Sequence, residues 1–340
     1  MACREKPRKS RNLLLVAGNE TLSISSKMDT VDTNNITNIT LPYHTPALLP
    51  EVIEALSIKP DGIYADATFG GGGHSRAIVE RLSPEGHLYG FDQDLDAAAN
   101  VVADDRFTFV RSNFRYMPNF MRFHGVEALD GILADLGVSF HHFDDASRGF
   151  TFRDDAAPLD MRMNRRADAT AADLLNNSSE EELASIFRLG SDLKNVGRIV
   201  KAICTARASR PIATSADLRS AIGSLLNPKN EKKDLAQIYQ ALRIAVNHEI
   251  EALEEFLEHC LTLLRPGGRL AVITYHSLED RLVKNFMKTG NLEGKVEQDF
   301  FGNFKSPWKV ITRQPITPSD EEIERNPRSR SAKLRVAEKL

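Results

Sequence analysis

A run of four glycines closes a short apolar segment and opens a helical one, in Ile63-Tyr-Ala-Asp-Ala-Thr-Phe-Gly70-Gly-Gly-Gly-His74-Ser75. Glycine turns the chain sharply without Cβ strain and leaves main-chain N–H groups open to a ligand at a helix N-terminus. A second apolar segment ends on Phe91-Asp92, at the spacing of a carboxylate that accepts from ribose hydroxyls. The chain is therefore constrained to a strand-turn-helix unit of a parallel α/β sheet, and the unit suits an adenosyl ligand. A glycine-rich connector is also a common structural turn, so the ligand needs support from other residues.

A dinucleotide fingerprint requires glycine, or alanine at the last place, at all three of its small positions, but here Gly70 and Gly72 are followed by Ser75. That weakens a nicotinamide-dependent dehydrogenase. A nucleoside without a pyrophosphate needs no phosphate cradle; carboxylates on its ribose and apolar walls around its base hold it. Asp92, Phe114 and Asp135, at successive strand ends, supply both.

With 340 residues, 41% apolar and 27% charged, the chain has material for one large or two smaller cores, which excludes a disordered or fibrous protein. Its three cysteines, Cys3, Cys204 and Cys260, have no metal-ligand spacing, so neither a disulfide framework nor a metal site is expected, and a reducing cytoplasm fits. No run approaches the ~18 apolar residues of a membrane span, so the expectation is a soluble protein with no membrane partner. The net charge of −3 confines any polyanion site to local patches. One is the segment with Arg325, Arg328, Arg330, Lys333, Arg335 and Lys339; another is Arg162, Arg165 and Arg166. A solvated charged face is the plainer meaning of such runs.

Residues 1–40 are basic and then polar without sustained period, which reads as a disordered N-terminal extension, with Met28 as an alternative start. Strand-like segments recur at Ile63–Ala67, His87–Phe91, Phe107–Val110, Gly131–Leu136 and Leu270–Tyr275, with helical patterns between the early ones. Trp308–Thr312 and Leu334–Ala337 could add a closing antiparallel pair, giving a seven-stranded sheet with ligands at its carboxyl ends. The span between Leu136 and Leu270 exceeds any crossover and reads as helical: a capping box at Ser179–Glu182, a helix over Val196–Ala206, and a third capped by Thr214 or Ser215. Val246, Ile250, Leu253, Leu257, Cys260 and Leu264 then form one amphipathic stripe ending at Pro266-Gly-Gly268, with Cys260 as core. The segment Lys288–Lys305 has no clear period. The domain reading is a core of residues 41–145 and 241–340, with an inserted helical domain over 146–240.

The densest motifs are Ala134-Asp-Leu-Gly-Val-Ser139, Arg148-Gly-Phe with Pro158-Leu-Asp-Met-Arg-Met163, Gln240-Ala-Leu-Arg-Ile-Ala-Val-Asn247, Tyr275-His-Ser-Leu-Glu-Asp-Arg281 and Asn326-Pro-Arg-Ser-Arg-Ser-Ala-Lys-Leu-Arg335. With His44-Thr-Pro46 and the glycine turn, they resemble in order and spacing the bacterial 16S ribosomal RNA cytosine-N4 methyltransferase family, from about Leu41 to Leu340. The resemblance implies a class I S-adenosylmethionine-dependent methyltransferase: a Rossmann-like seven-stranded sheet with a helical insertion. It also implies a target cytidine in the decoding centre of 16S rRNA within the small ribosomal subunit. Carried over by motif, the cofactor contacts fall on Gly72, Gly73, His74, Asp92, Phe114 and Asp135, and on His142, which stands where many relatives have glutamine. The segment Gly190-Ser-Asp-Leu-Lys-Asn195 is altered likewise.

An exocyclic cytosine amine is a poor nucleophile, so methylation at N4 requires alignment with a methyl donor and an acceptor for charge growing on nitrogen. Methylation at C5 would instead call for a cysteine nucleophile, and no cysteine lies at a strand end. Asp135 is the candidate acceptor, supported by His276 and Glu279. Other readings stay open for each: Asp135 holding only cofactor, His276 as a core histidine, Glu279-Asp280 capping a helix. The competing functions are the dehydrogenase and a noncatalytic ribosomal RNA-binding protein; a homodimer is left open.

Overall fold

The computed structural model describes residues 46–138, 143–226, 228–298, 300–302 and 304–340; residues 1–45, and with them the whole of the expected extension and His44, lie outside these, as does His142. The first described elements are α1 (Leu49–Leu56), β1 (Ile63–Asp66), α2 (Gly73–Val79), β2 (His87–Asp92), β3 (Phe107–Arg111), α3 (Met117–Phe123) and β4 (Leu129–Asp135). Helices α4 (Ala171–Asn177), α5 (Glu180–Gly190), α6 (Val196–Ser209), α7 (Ser215–Ile222) and α8 (Glu231–Asn247) come next. The chain closes through α9 (Glu249–Leu263), β5 (Leu264–Thr274), α10 (Ser277–Thr289), β6 (Glu297–Gln298), β7 (Phe304–Lys305), β8 (Trp308–Val310), α11 (Asp320–Arg325) and β9 (Lys333–Lys339).

The sheet has seven strands in the order β3-β2-β1-β4-β5-β9-β8. Strands β1 to β5 pair in parallel, and β9 lies antiparallel between β5 and β8. This is the class I methyltransferase arrangement that the resemblance implied. The two-residue alternation of a strand sends side chains to opposite faces. Ile132, Ala134, Leu270 and Val272 join one core with Phe256 and Leu257 of α9 and Phe286 of α10; Leu133, Ala271 and Ile273 join the other with Val52 of α1 and Ile78 of α2. Both faces are thereby covered, and the strands' carboxyl ends are left for a ligand.

A third core, from Phe150 to Val246, is built by α4 to α8. Its helices start where the sequence places them: Ser179 and Glu182 form a capping box on α5, and Thr214 and Asp217 one on α7. Helix α5 lies so close to α8 that a Cβ on Gly190 would sit 2.6 Å from Ala241 Cα. That close approach is what requires glycine at 190, and Gln240 Nε2 adds a hydrogen bond to the Gly190 carbonyl at 3.0 Å.

The expected single stripe from Val246 to Leu264 is two elements. Helix α8 ends at Asn247, His248 takes left-handed geometry at φ 50°, and α9 starts at Glu249. Leu264 begins β5, so the run through Pro266-Gly-Gly268 is strand rather than a helix stop. The unplaced segment contributes α10's last residues and the two-stranded β6-β7 pair. The basic C-terminal run also differs from a solvated patch. Arg335 is buried within β9 and forks onto Asp280, and Lys339 Nζ donates to the Leu261 and Leu264 carbonyls.

Candidate active site

A cavity of about 320 Å³ opens at the carboxyl ends of β1, β2 and β4, lined by Gly70, Gly71, Gly73, His74, Asp92, Asn113, Phe114 and Asp135 among others. Its floor is set by hydrogen bonds between strand ends and the glycine turn. Asp92 Oδ2 accepts from Gly70 N at 2.8 Å and Oδ1 from Asp94 N at 2.8 Å. Gly70 and Gly72 have φ of 50° and 72°, and a Cβ at Gly72 would meet the Phe69 ring at 2.9 Å. Gly72 caps α2 without lining the cavity, whereas Gly73 and His74 border it. Ser75, the residue that departs from the dinucleotide pattern, ties α2 to the end of β1, because its hydroxyl donates to Asp66 Oδ2 at 2.7 Å.

Phe114 follows β3 in a short helical turn capped by Asn113 and packs edge-on against Phe256, with ring centroids 5.1 Å apart. Asn113 in turn donates to Gln93 at 3.0 Å. An apolar ring and the Asp92 carboxylate in one cavity provide the two kinds of surface that an adenosine needs. The residues present fit an adenosyl cofactor.

Asp135 ends β4 at the other side of the cavity. Its backbone N–H donates to Thr68 Oγ1 at 2.6 Å, Tyr275 donates its hydroxyl to Oδ1 at 2.8 Å, and His74 Nδ1 lies 3.8 Å from Oδ2. Burial pushes its carboxyl up to about 7; the Tyr275 hydrogen bond works against this, and the nearby Asp66 and Glu279 work with it. Burial likewise raises Asp92 and Asp66 to about 6. A cationic ligand is what such a set of desolvated carboxylates lacks.

His276 and Glu279 do not line this cavity. His276 is the N-cap of α10, its Nδ1 accepting from Glu279 N at 3.4 Å, while Glu279 Oε2 accepts from Tyr275 N at 3.0 Å. His276 Nε2 lies 3.0 Å from Glu279 Oε1 but makes no hydrogen bond. Burial works against the Glu279 charge, yet His276, Arg243 and the Tyr275 N–H outweigh it and hold the carboxyl below its ordinary range. The two residues thus form a capping box that fixes the turn carrying Tyr275, which is the helix-capping reading the sequence left open, and any part they take in the reaction runs through Tyr275. Glu249, His276 and Glu279 offer potential ligand atoms within 4.8 Å of one another, but both Glu249 oxygens accept from Arg243.

The sequence motifs also contain four residues whose roles only the fold reveals. Arg148, buried, donates from Nη1 to Asp94 and Asp96 and from Nη2 to the Arg162 and Met163 carbonyls. Asn247 accepts from Met163 N at 2.7 Å and donates to the Met161 carbonyl at 2.8 Å. Together they pull the segment 160–163 against the cofactor side, where Met163 borders the cavity. Tyr275 and Arg243 border it too. Dense motifs signalled all four, but the partners of Arg148, Asn247 and Tyr275 are distant in sequence.

Residues 42–340 match the model of the MraW methylase family. The chain belongs to that family. It is 59% identical over 297 residues, 87% of this chain and 97% of the relative, to the ribosomal RNA small subunit methyltransferase H of Phocaeicola vulgatus. The protein of the same name from Parabacteroides distasonis is 60% identical over 88% of this chain and 98% of its own length. That of Flavobacterium johnsoniae is 53% identical over 88% and 99%. Membership of the MraW methylase family sets aside the dehydrogenase and makes the chain a methyltransferase. Among the described residues, no helix is long and apolar enough to cross a membrane.

Proposed function

We propose that the protein methylates the N4 amine of a cytidine in the decoding centre of 16S rRNA, within the small ribosomal subunit and in the cytoplasm, using S-adenosylmethionine. The observation that carries the reading is the placement of Asp135, a mostly buried carboxylate (18% exposed) held by Tyr275, in the same cavity as Asp92, Phe114 and the glycine turn. The names of the relatives give the substrate class, and the cavity gives the chemistry.

The cofactor supplies an electrophilic methyl group on a sulfonium. Asp92 accepts from its ribose hydroxyls, Phe114 walls its base, and main-chain N–H groups from Gly73 and His74 border it. Asp135 accepts from the target amine, stabilises the positive charge growing on nitrogen, and takes the proton that leaves. Tyr275 fixes the carboxylate's direction, and the His276-Glu279 box fixes Tyr275. No thiolate is needed: Cys260 is buried on α9, its thiol pushed well up by burial, and neither it nor Cys204 lines the cavity.

The core of residues 41–145 and 241–340 carries the chemistry, and the helical unit of 146–240 shares α8 with it. Methyl transfer to isolated small subunits, naked rRNA and DNA, followed by nucleoside mass spectrometry, tests the reading. N4-methylcytidine from subunits is the expected product; 5-methylcytidine, or no product, overturns it, and RNA binding without transfer would favour the noncatalytic reading.

A further inference from the structure

Arg243 borders the cavity together with Asp135 and Tyr275. Its side chain is 12% exposed, and its Nε and Nη2 donate in a fork to Glu249 Oε1 and Oε2, each at 2.8 Å. Residues six apart do not share a face of a continuous helix, where neighbours are three or four apart. The left-handed residue His248 breaks the helix between them and turns Glu249 back onto Arg243. The interruption of the amphipathic stripe is therefore what builds this fork. Nη1 takes no part in it, and among the described residues no acceptor holds Nη1.

We propose that Arg243 reads the target base, donating to the N3 and O2 acceptors of a cytosine while Asp135 accepts from the adjoining N4 amine. The proposal rests on the cytosine-N4 reading above. Two features carry it. First, the guanidinium is already neutralised by Glu249 in a nearly buried pair, so it presents fixed, directional donors rather than a net charge, which suits a neutral base edge better than a phosphate. Second, a donor and an acceptor bordering the same cavity match the acceptor N3 and donor N4 of cytosine and oppose uracil. Uracil would turn its O4 toward the carboxylate and its N3–H toward the guanidinium, two unpaired and repulsive contacts. Glu249 is a positioning residue in this arrangement, and His248 supplies the bend that positions it.

The test compares the wild-type protein with the double variant Arg243→Met/Glu249→Gln, which removes both members of the pair, while Glu279, which Arg243 also favours, keeps His276 and the Tyr275 N–H. The substrates are small subunits with cytidine at the mapped target, and the competitor is subunits with uridine there. The expected result is S-adenosylmethionine affinity within about twofold of wild type and kcat/KM lower by about tenfold to a hundredfold. The preference for cytidine over the uridine competitor should fall by about tenfold or more. A folded double variant that keeps the wild-type preference overturns the assignment, as does one whose whole defect is lost cofactor binding. Should the double variant fail to fold, Arg243→Lys, which keeps the charge but not the fork, decides on the same ratio: an unchanged preference overturns the proposal. Wild-type protein that yields no N4-methylcytidine refutes the underlying reading instead, so the two failures are distinguishable.

Discussion

Tyr275 donates its hydroxyl to Asp135 Oδ1 at 2.8 Å, across 140 residues of sequence that include the whole helical insertion. That hydrogen bond joins the end of β4 to the turn after β5, and the turn is held by Glu279 at the head of α10. Catalytic geometry and helix capping are thereby one structure.

The carboxyl of Asp135, raised to about 7 by burial, makes activity and stability respond to pH in opposite directions. An acceptor must be ionised, so turnover should fall as pH drops through about 7. A folded pKa above the unfolded value means that the group's contribution to stability is full below about pH 4 and is lost as pH rises through about 7. Asp135→Asn should therefore raise the melting temperature of the cofactor-free protein at pH 8, a gain of order 1 to 3 kcal/mol that shrinks toward pH 5. Calorimetry at the two pH values checks this; a gain that grows toward pH 5 contradicts it.

Binding of the cationic cofactor should strengthen as pH rises through the same range, because Asp66, Asp92 and Asp135 ionise there. The neutral product S-adenosylhomocysteine should show a weaker dependence. Isothermal titration of both ligands between pH 5 and 8, a range that reaches about one unit below the lowest and one unit above the highest of those values, makes the comparison. Equal slopes would place the carboxylates away from the charge.

Asp92→Asn should weaken S-adenosylmethionine binding by about 1.5 to 3 kcal/mol through loss of charge-assisted bonds, with most of the rate recovered at saturating cofactor. Part of the loss comes through the Gly70 N–H that Asp92 holds. A rate defect that excess cofactor leaves untouched would assign Asp92 to the chemical step.

The basic C-terminal segment divides into structural and exposed charges. Removing Arg335 takes the forked partner from the mostly buried Asp280 and leaves it only Lys333 at 3.6 Å, so Arg335→Ala should cost about 1 to 3 kcal/mol of stability. Arg330 is exposed, and Arg330→Ala should leave stability unchanged while flattening the salt dependence of RNA affinity. Denaturant unfolding and binding at several salt concentrations separate the two.

Replacing Cys204 and Cys260 by alanine should leave methyl transfer intact, since no thiolate takes part. A folded double variant with normal cofactor affinity and no turnover would count against the N4 chemistry.

The strands were legible because they are short apolar runs bounded by turn residues, and the glycine turn with Asp92 and Asp135 marked their carboxyl ends. Helix starts at Ser179 and Thr214 were legible because a capping box is a local code. His248 was not: a left-handed residue between two helices leaves the apolar period almost unbroken, so two helices read as one. Tertiary partners were equally hidden. Nothing local says that Arg335 meets Asp280 or that Asn247 clamps Met161 and Met163.

The central claim is that Asp135 acts on the target amine. Single-turnover methyl transfer by Asp135→Asn, with S-adenosylmethionine and small subunits both saturating, measures it most directly. The account predicts a rate lower by about two orders of magnitude or more, with cofactor affinity close to wild type. A defect confined to affinity and fully rescued by excess cofactor would contradict it and leave Asp135 as a binding residue.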